Sequence, residues 1–192
     1  TIFDLETREP TVLVPDFEGA SFNSPNDIAV RSDGNMYFTD PDYLRGNRPE
    51  EAPVRAYRRD PNGVLSVIDE DGNANGITLS PDESRLYLAH LGGGNDIIFF
   101  DVDASGNLGQ AQTFVPNGGS DGMAIDCAGN LYITQGGVQV FAPSGEQIGP
   151  GRVSYALSFR FQPDLAGDAK AIDKALNKVR GSLQHHLGAE IR

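Results

Sequence analysis

Asn26, Asn75 and Asp121 are the residues of this 192-residue chain whose types and spacing could do chemistry together. They stand 49 and 46 positions apart, and each opens a short apolar stretch: Asn26-Asp27-Ile28, Asn75-Gly76-Ile77 and Asp121-Gly122-Met123. Amide and carboxylate oxygens are hard donors, suited to Ca2+ or Mg2+ rather than to soft metals. Asn and Asp are also ordinary turn residues ahead of strands, so any one of them alone reads as turn chemistry. Their recurrence at one place in a repeat makes them a candidate site.

The repeat supplies the elements that must position them. "SPNDIAVRSDGNMYFTD" from Ser24, "NANGITLSPDESRLYLA" from Asn73 and "GSDGMAIDCAGNLYIT" from Gly119 align, at intervals of about 45 to 50 residues. Each holds a polar start, an apolar strand, a turn ("RSDGN", "SPDES", "DCAGN") and a second strand with an aromatic. Gly, Asp, Asn and Pro are what tight hairpins need, because they accept positive φ or preset the turn. Downstream, "VRAYRRDPNGVLSVI", "IIFFDVDASGNLGQAQTFV" and "VQVFAPSGEQIG" add a third strand, a turn and a fourth strand or its start. Alternation at period two marks half-buried strands. Repeated four-stranded units of this length signal a β-propeller, with a β-sandwich of chance turn similarity as the plainer alternative. The expected fold is all-β: a partial propeller of about three to four blades, preceded by the tail "TVLVPDF" of an earlier unit. Equivalent positions of successive blades converge on a central channel, which would bring the three oxygen-bearing side chains to one spot.

Composition narrows the partners. A formal net charge of −12 argues against nucleic acid or an anionic membrane and favours cations. The single cysteine, Cys127, allows no intrachain disulfide, and His90, His185 and His186 are too scattered for a His-rich metal centre. "TIFDLETREP" lacks the features of a signal peptide, and no apolar run approaches a membrane span. A soluble chain is expected, with its compartment open. His90 follows the strand "LYLA" and is a candidate channel residue, as a substrate contact or second base, against a plain loop histidine. "GGGND" from Gly92 lacks the strand-to-helix context of a phosphate loop. Cys127 sits in a turn with no His in register and reads as an incidental thiol. Phe99 and Phe100 are core candidates.

"SPNDIAVRSDGNMYFTDPDY", "NGITLSPDESRLYLA" and "SDGMAIDCAGNLYIT" together resemble successive signature segments of the gluconolactonase/regucalcin-like family, over residues 11–149. The resemblance implies a six-bladed propeller with one divalent cation in its channel, Ca2+ first and Mg2+, Mn2+ or Zn2+ as alternatives. It also implies hydrolysis of a sugar lactone or related ester. The family's metal is held by a first-blade Glu, the Asn of an "NG" motif and the Asp of a "DG" motif. The last two map onto Asn75 and Asp121. The Asn of "PND", here Asn26, would by the same resemblance lie beside the metal and contact substrate or metal-bound water. Asp40, ending "FTD", matches a motif residue near the channel. Asp121 would double as ligand and catalytic base, Asn26 would assist catalysis, and Asp27 would brace the turn.

The chain departs from that pattern at both ends. It begins inside what should be the second blade, and Glu6 in "DLETREP" does not match the first-blade Glu motif. After Gly149 the repeat stops, which divides the chain into a propeller part, 1–149, and a C-terminal part, 150–192. The alternation Val153, Tyr155, Leu157, Phe159, Phe161 predicts one more strand. Ile172, Leu176, Val179 and Leu183 recur at helical spacing within a helix over 165–187. His185-His186 falls at that helix's solvated end. An open propeller leaves sheet faces unprotected. A truncated or rearranged gene, self-association that completes the ring, or cover by the C-terminal segment would each account for it. A non-catalytic propeller-derived fragment or binding module is the alternative to a lactone hydrolase.

Overall fold

The computed structural model describes residues 1–43, 54–70, 73–91, 94–135 and 137–148, all within one compact unit, Thr1–Val153. The C-terminal strand and helix expected from the sequence lie outside the described residues. Among those residues there is no helix, and thirteen strands form antiparallel sheets whose strands follow chain order.

The first four-stranded sheet comprises β3 (Ile28–Val30), β4 (Met36–Asp40), β5 (Arg55–Arg59) and β6 (Leu65–Asp69). The second comprises β7 (Ala74–Leu79), β8 (Arg85–His90), β9 (Ile97–Asp101) and β10 (Gln112–Val115). The third has β11 (Met123–Ile125), β12 (Leu131–Thr134) and β13 (Val138–Phe141), extended by a bridge between Phe141 and Gln147. A short ribbon of β1 (Ile2–Phe3) and β2 (Pro10–Thr11) precedes them. Strand β7 lies against β3 and β4 on one side and β11 on the other, so the first strands of the three sheets are neighbours. This is the stacking of a partial β-propeller.

Period two explains how one sheet serves two cores. Along β8, Leu86 and Leu88 enter the core shared with the first sheet, while Tyr87 and Ala89 enter the core shared with the third. Along β9, Ile98 and Phe100 face the first core, and Ile97 with the partly buried Phe99 faces the second. Covered on both faces, this sheet needs the near-continuous apolar runs "LYLA" and "IIFF".

The repeat turns share one backbone. Residue four of each donates to residue one: Gly34 N to Arg31 O, Glu83 N to Ser80 O and Gly129 N to Asp126 O, at 3.0, 2.8 and 2.9 Å. Gly34 and Gly129 sit at φ of 90° and 83°, where glycine meets no Cβ penalty. Glu83 occupies the same place at φ 57°. Its carboxylate reaches the preceding sheet, accepting from Ser32 N at 2.9 Å and Ser32 Oγ at 2.6 Å. Those bonds between sheets offset a backbone cost of about 1–2 kcal/mol for an L-residue in the left-handed region.

Candidate functional site

Strand register makes Asn26, Asn75 and Asp121 equivalent. Ile28 pairs with Phe38, Ile77 with Leu88 and Met123 with Ile133, and each polar residue stands two positions before the first of these partners. All three line one open cleft of about 670 Å3 at the starts of β3, β7 and β11. Tyr43, Leu91, Asn95, Gly119, Thr134 and Gln135 complete its wall.

The three are held differently. Asn75 is buried at 1% exposure, its oxygen accepting from Asn26 Nδ2 at 2.6 Å and its Nδ2 donating to the Tyr43 hydroxyl. Its backbone carbonyl accepts from Thr39 Oγ1 at 2.7 Å, which ties β7 to β4. Asn26 is exposed but has its backbone fixed, donating to Thr39 O at 2.9 Å. Asp121 is exposed at the rim. A Cβ on Gly76 would come within 2.8 Å of the Asp121 carbonyl, so glycine after Asn75 is what lets the Asp121 loop approach.

Around this trio sits a scaffold of carboxylates. Asp40, fully buried, accepts from Ser24 N at 2.7 Å, Asn23 N at 2.9 Å and Asn23 Nδ2 at 3.1 Å, and so shapes the loop that delivers Asn26. Asp27 does more than brace its own turn: its Oδ2 accepts from Ile77 N at 3.0 Å, binding the first sheet to β7 directly behind Asn75. His90 is not part of the cleft wall. Its Nε2 lies 3.1 Å from Oδ2 of the buried Asp69, across the first and second sheets. His90 stands at the repeat position of Asp40 and Gln135, and of these Gln135 lines the cleft.

Tyr43, Asn95 and Thr134 are wall residues that the sequence reading passed over. Thr134 had a signal, since "YFT" and "YIT" recur and Thr39 holds the equivalent position. Tyr43 closes the segment "SPNDIAVRSDGNMYFTDPDY" at a position that the other two segments do not carry, and Asn95 lies in a connection outside them. Burial raises the Tyr43 pKa, the Asp121 charge raises it further, and the hydrogen bond with Asn75 opposes them.

The donor set is one of hard oxygens: the Asp121 carboxylate and the amide oxygens of Asn75, Asn26, Asn95 and Gln135, with no thiol or imidazole in the wall. Such a set fits a hard divalent cation. Among the described residues no three His, Cys, Asp or Glu side chains cluster as a ready-made metal site, and Asp121 is the single carboxylate of the described wall.

Among the described residues no helix is long and apolar enough to cross a membrane. Residues 1–156 match the SMP-30/gluconolactonase/LRE-like region. A gluconolactonase of Zymomonas mobilis subsp. mobilis is 35% identical over 166 residues, covering 76% of this chain and 46% of that protein. The solved structure of a gluconolactonase from Xanthomonas campestris superposes with a TM-score of 0.67 at 34% identity, over 76% of this chain and 52% of that one. A calcium-binding regucalcin from Agrobacterium tumefaciens shares the fold, with a TM-score of 0.54 at 23% identity over 65% of this chain and 44% of that one. The chain thus spans about half the length of these relatives. With its repeat, its propeller stacking and the matched residues in agreement, this chain belongs to the SMP-30/gluconolactonase/LRE-like family.

Proposed function

We propose that the cleft is the active site of a divalent-metal-dependent hydrolase acting on a sugar lactone or related ester. The observation that carries this reading is the convergence of Asn26, Asn75 and Asp121, equivalent in strand register, on one polar cleft of a gluconolactonase-family fold. Asn75 and Asp121 would hold the cation, Ca2+ in the first instance, because amide and carboxylate oxygens are hard donors. When bound, the cation supplies Lewis acidity at the lactone carbonyl oxygen. Asp121 accepts the proton of the attacking water, for which an exposed rim carboxylate is suited. Asn26 orients substrate oxygens through its amide, which its fixed backbone and its bond to Asn75 preorganise. His90, engaged with Asp69, is assigned no substrate contact.

Lactone hydrolysis followed with and without a chelator, and in Asp121→Ala, tests the reading. Both treatments are expected to abolish turnover, with about 100-fold or greater loss for the variant. Rates unchanged by both would sink it. A non-catalytic binding module is the second reading, favoured by the single carboxylate among the described wall residues. Calorimetric titration with Ca2+ separates the two: affinity weaker than about millimolar, below even the weak extracellular class of calcium sites, favours the module.

A further inference from the structure

We propose that the Tyr43 hydroxyl donates a hydrogen bond to the leaving oxygen of the substrate, the ring oxygen of a lactone or the alcohol oxygen of an ester. The proposal rests on the hydrolytic reading and adds to it the group that meets the departing oxygen. Bond direction decides what Tyr43 has to offer. Asn75 Nδ2 is an amide nitrogen, which donates and cannot accept, so its bond occupies a lone pair of the Tyr43 oxygen. The phenolic hydrogen is left unspent, and no group among the described residues takes it. Asn26 Nδ2, bonded to the Asn75 oxygen at 2.6 Å, holds the amide in that orientation. Tyr43 lines the cleft and is 47% exposed, so its hydrogen is open to a bound molecule.

Chemistry singles out Tyr43 among the donors of the wall. Thr134, the other hydroxyl of the described wall, donates to Gly122 O at 3.3 Å. Gln135 Nε2 donates to Asn117 O at 3.0 Å, and Asn26 is bonded at the far end of the Asn75 amide. A phenol is also a stronger acid than an amide or an alcohol, and so the stronger neutral donor to developing negative charge. With its oxygen pinned by Asn75, it needs little reorganisation when that charge appears.

Its place near Asp121 fits the reaction. Attacking and leaving oxygens are carried by one carbon in the tetrahedral intermediate, so the donor to one must stand close to the base that serves the other. The Asp121 charge acts on the Tyr43 phenol, second to burial, and both favour the protonated form that donates. The step balances on these groups. Water's oxygen bonds to the carbonyl carbon as its proton passes to Asp121. The bond from that carbon to the leaving oxygen then breaks, and its electron pair stays on the oxygen. Tyr43 stabilises that charge by its hydrogen bond, and the proton on Asp121 moves to the oxygen, which restores the carboxylate.

Tyr43→Phe in the full chain, with Ca2+ in excess so that weakened metal binding does not enter, tests this on two substrates. Gluconolactone expels an alkoxide, which needs a donor, whereas para-nitrophenyl acetate expels a stabilised phenolate, which does not. The expected loss in kcat on gluconolactone is about 100-fold, the effect of removing one donor to developing charge. On the aryl ester the loss should stay within about fivefold, the scale of one ordinary hydrogen bond. A merely structural role for Tyr43 would lower both rates alike. Equal losses on the two substrates, or an unchanged rate on the lactone, would overturn the proposal and leave the hydrolytic reading standing. A parent chain that hydrolyses neither substrate would bring down that reading, and this proposal with it.

Discussion

Tyr43 illustrates what a single hydroxyl can decide in this cleft. It takes the Nδ2 of Asn75 and thereby leaves the Asn75 oxygen directed to Asn26 and the cleft. Tyr43→Phe removes that partner and leaves the ring. The net loss of one hydrogen bond is about 1 kcal/mol, roughly fivefold in an equilibrium constant. We expect a roughly fivefold weaker Ca2+ affinity by calorimetry, with a melting temperature shifted by only a few degrees. An unchanged affinity would remove Tyr43 from the positioning of Asn75. Asn75→Ala should behave differently, because its amide is buried and bonded on both ends. Its cost to stability is expected at about 1–3 kcal/mol, measured by urea unfolding.

At the scale of the element, the hairpin turns carry the ionisable groups that make the fold acid-sensitive. Hydrogen bonds from Ser80 Oγ and from Ser84 Oγ and N bring the Asp82 carboxyl down to about 2. Asp103 is lowered first by the Asn107 side chain, then by the Asn107 backbone N–H. In Asp126 burial pushes upward and the hydrogen bonds from Asn130, Tyr132 and Ala128 outweigh it. A carboxyl whose folded pKa is depressed stabilises the fold fully above its unfolded value of about 4, and that contribution is lost as pH falls through the folded value. The melting temperature is therefore expected to drop between about pH 4 and pH 2. The doubly substituted Asp82→Asn, Asp103→Asn chain should show a smaller drop over that window. An equal drop would mean that these turns do not set the acid limit.

On the whole-molecule scale, the sheets are joined by polar latches as well as by their apolar cores. Arg58 on β5 reaches Asn35 Oδ1 in its own sheet's hairpin and Asn107 Oδ1 and Ser105 O in the next sheet's hairpin, each at 2.7 Å. Asp27 to Ile77 and Glu83 to Ser32 span the same pair of sheets. Arg58→Ala is expected to cost about 1–3 kcal/mol, since it strips two sheets of charge-assisted bonds and leaves acceptors unpaired. Denaturant unfolding with near-native cooperativity but a lower midpoint would be the expected result. A midpoint unchanged from the parent would show that the apolar cores alone couple the sheets.

The all-β class, the repeat, its turns and the equivalence of Asn26, Asn75 and Asp121 were legible in the amino-acid order, because period-two alternation and turn chemistry are local properties of neighbouring residues. The family was legible for the same reason: its motifs are the repeats themselves. Other roles were settled only in three dimensions. Asp27 serves the neighbouring sheet and not just its own turn, and the buried Asp40 serves the loop ahead of Asn26. His90, at the repeat position of Asp40 and Gln135, turns to Asp69, because a side chain at a strand end takes whichever partner the adjoining sheet presents. Tyr43 enters the cleft from the end of the first motif, at a position the other two motifs do not carry, so recurrence did not mark it. Local order determined which residues recur; the stacking of one sheet on the next determined which of them meet.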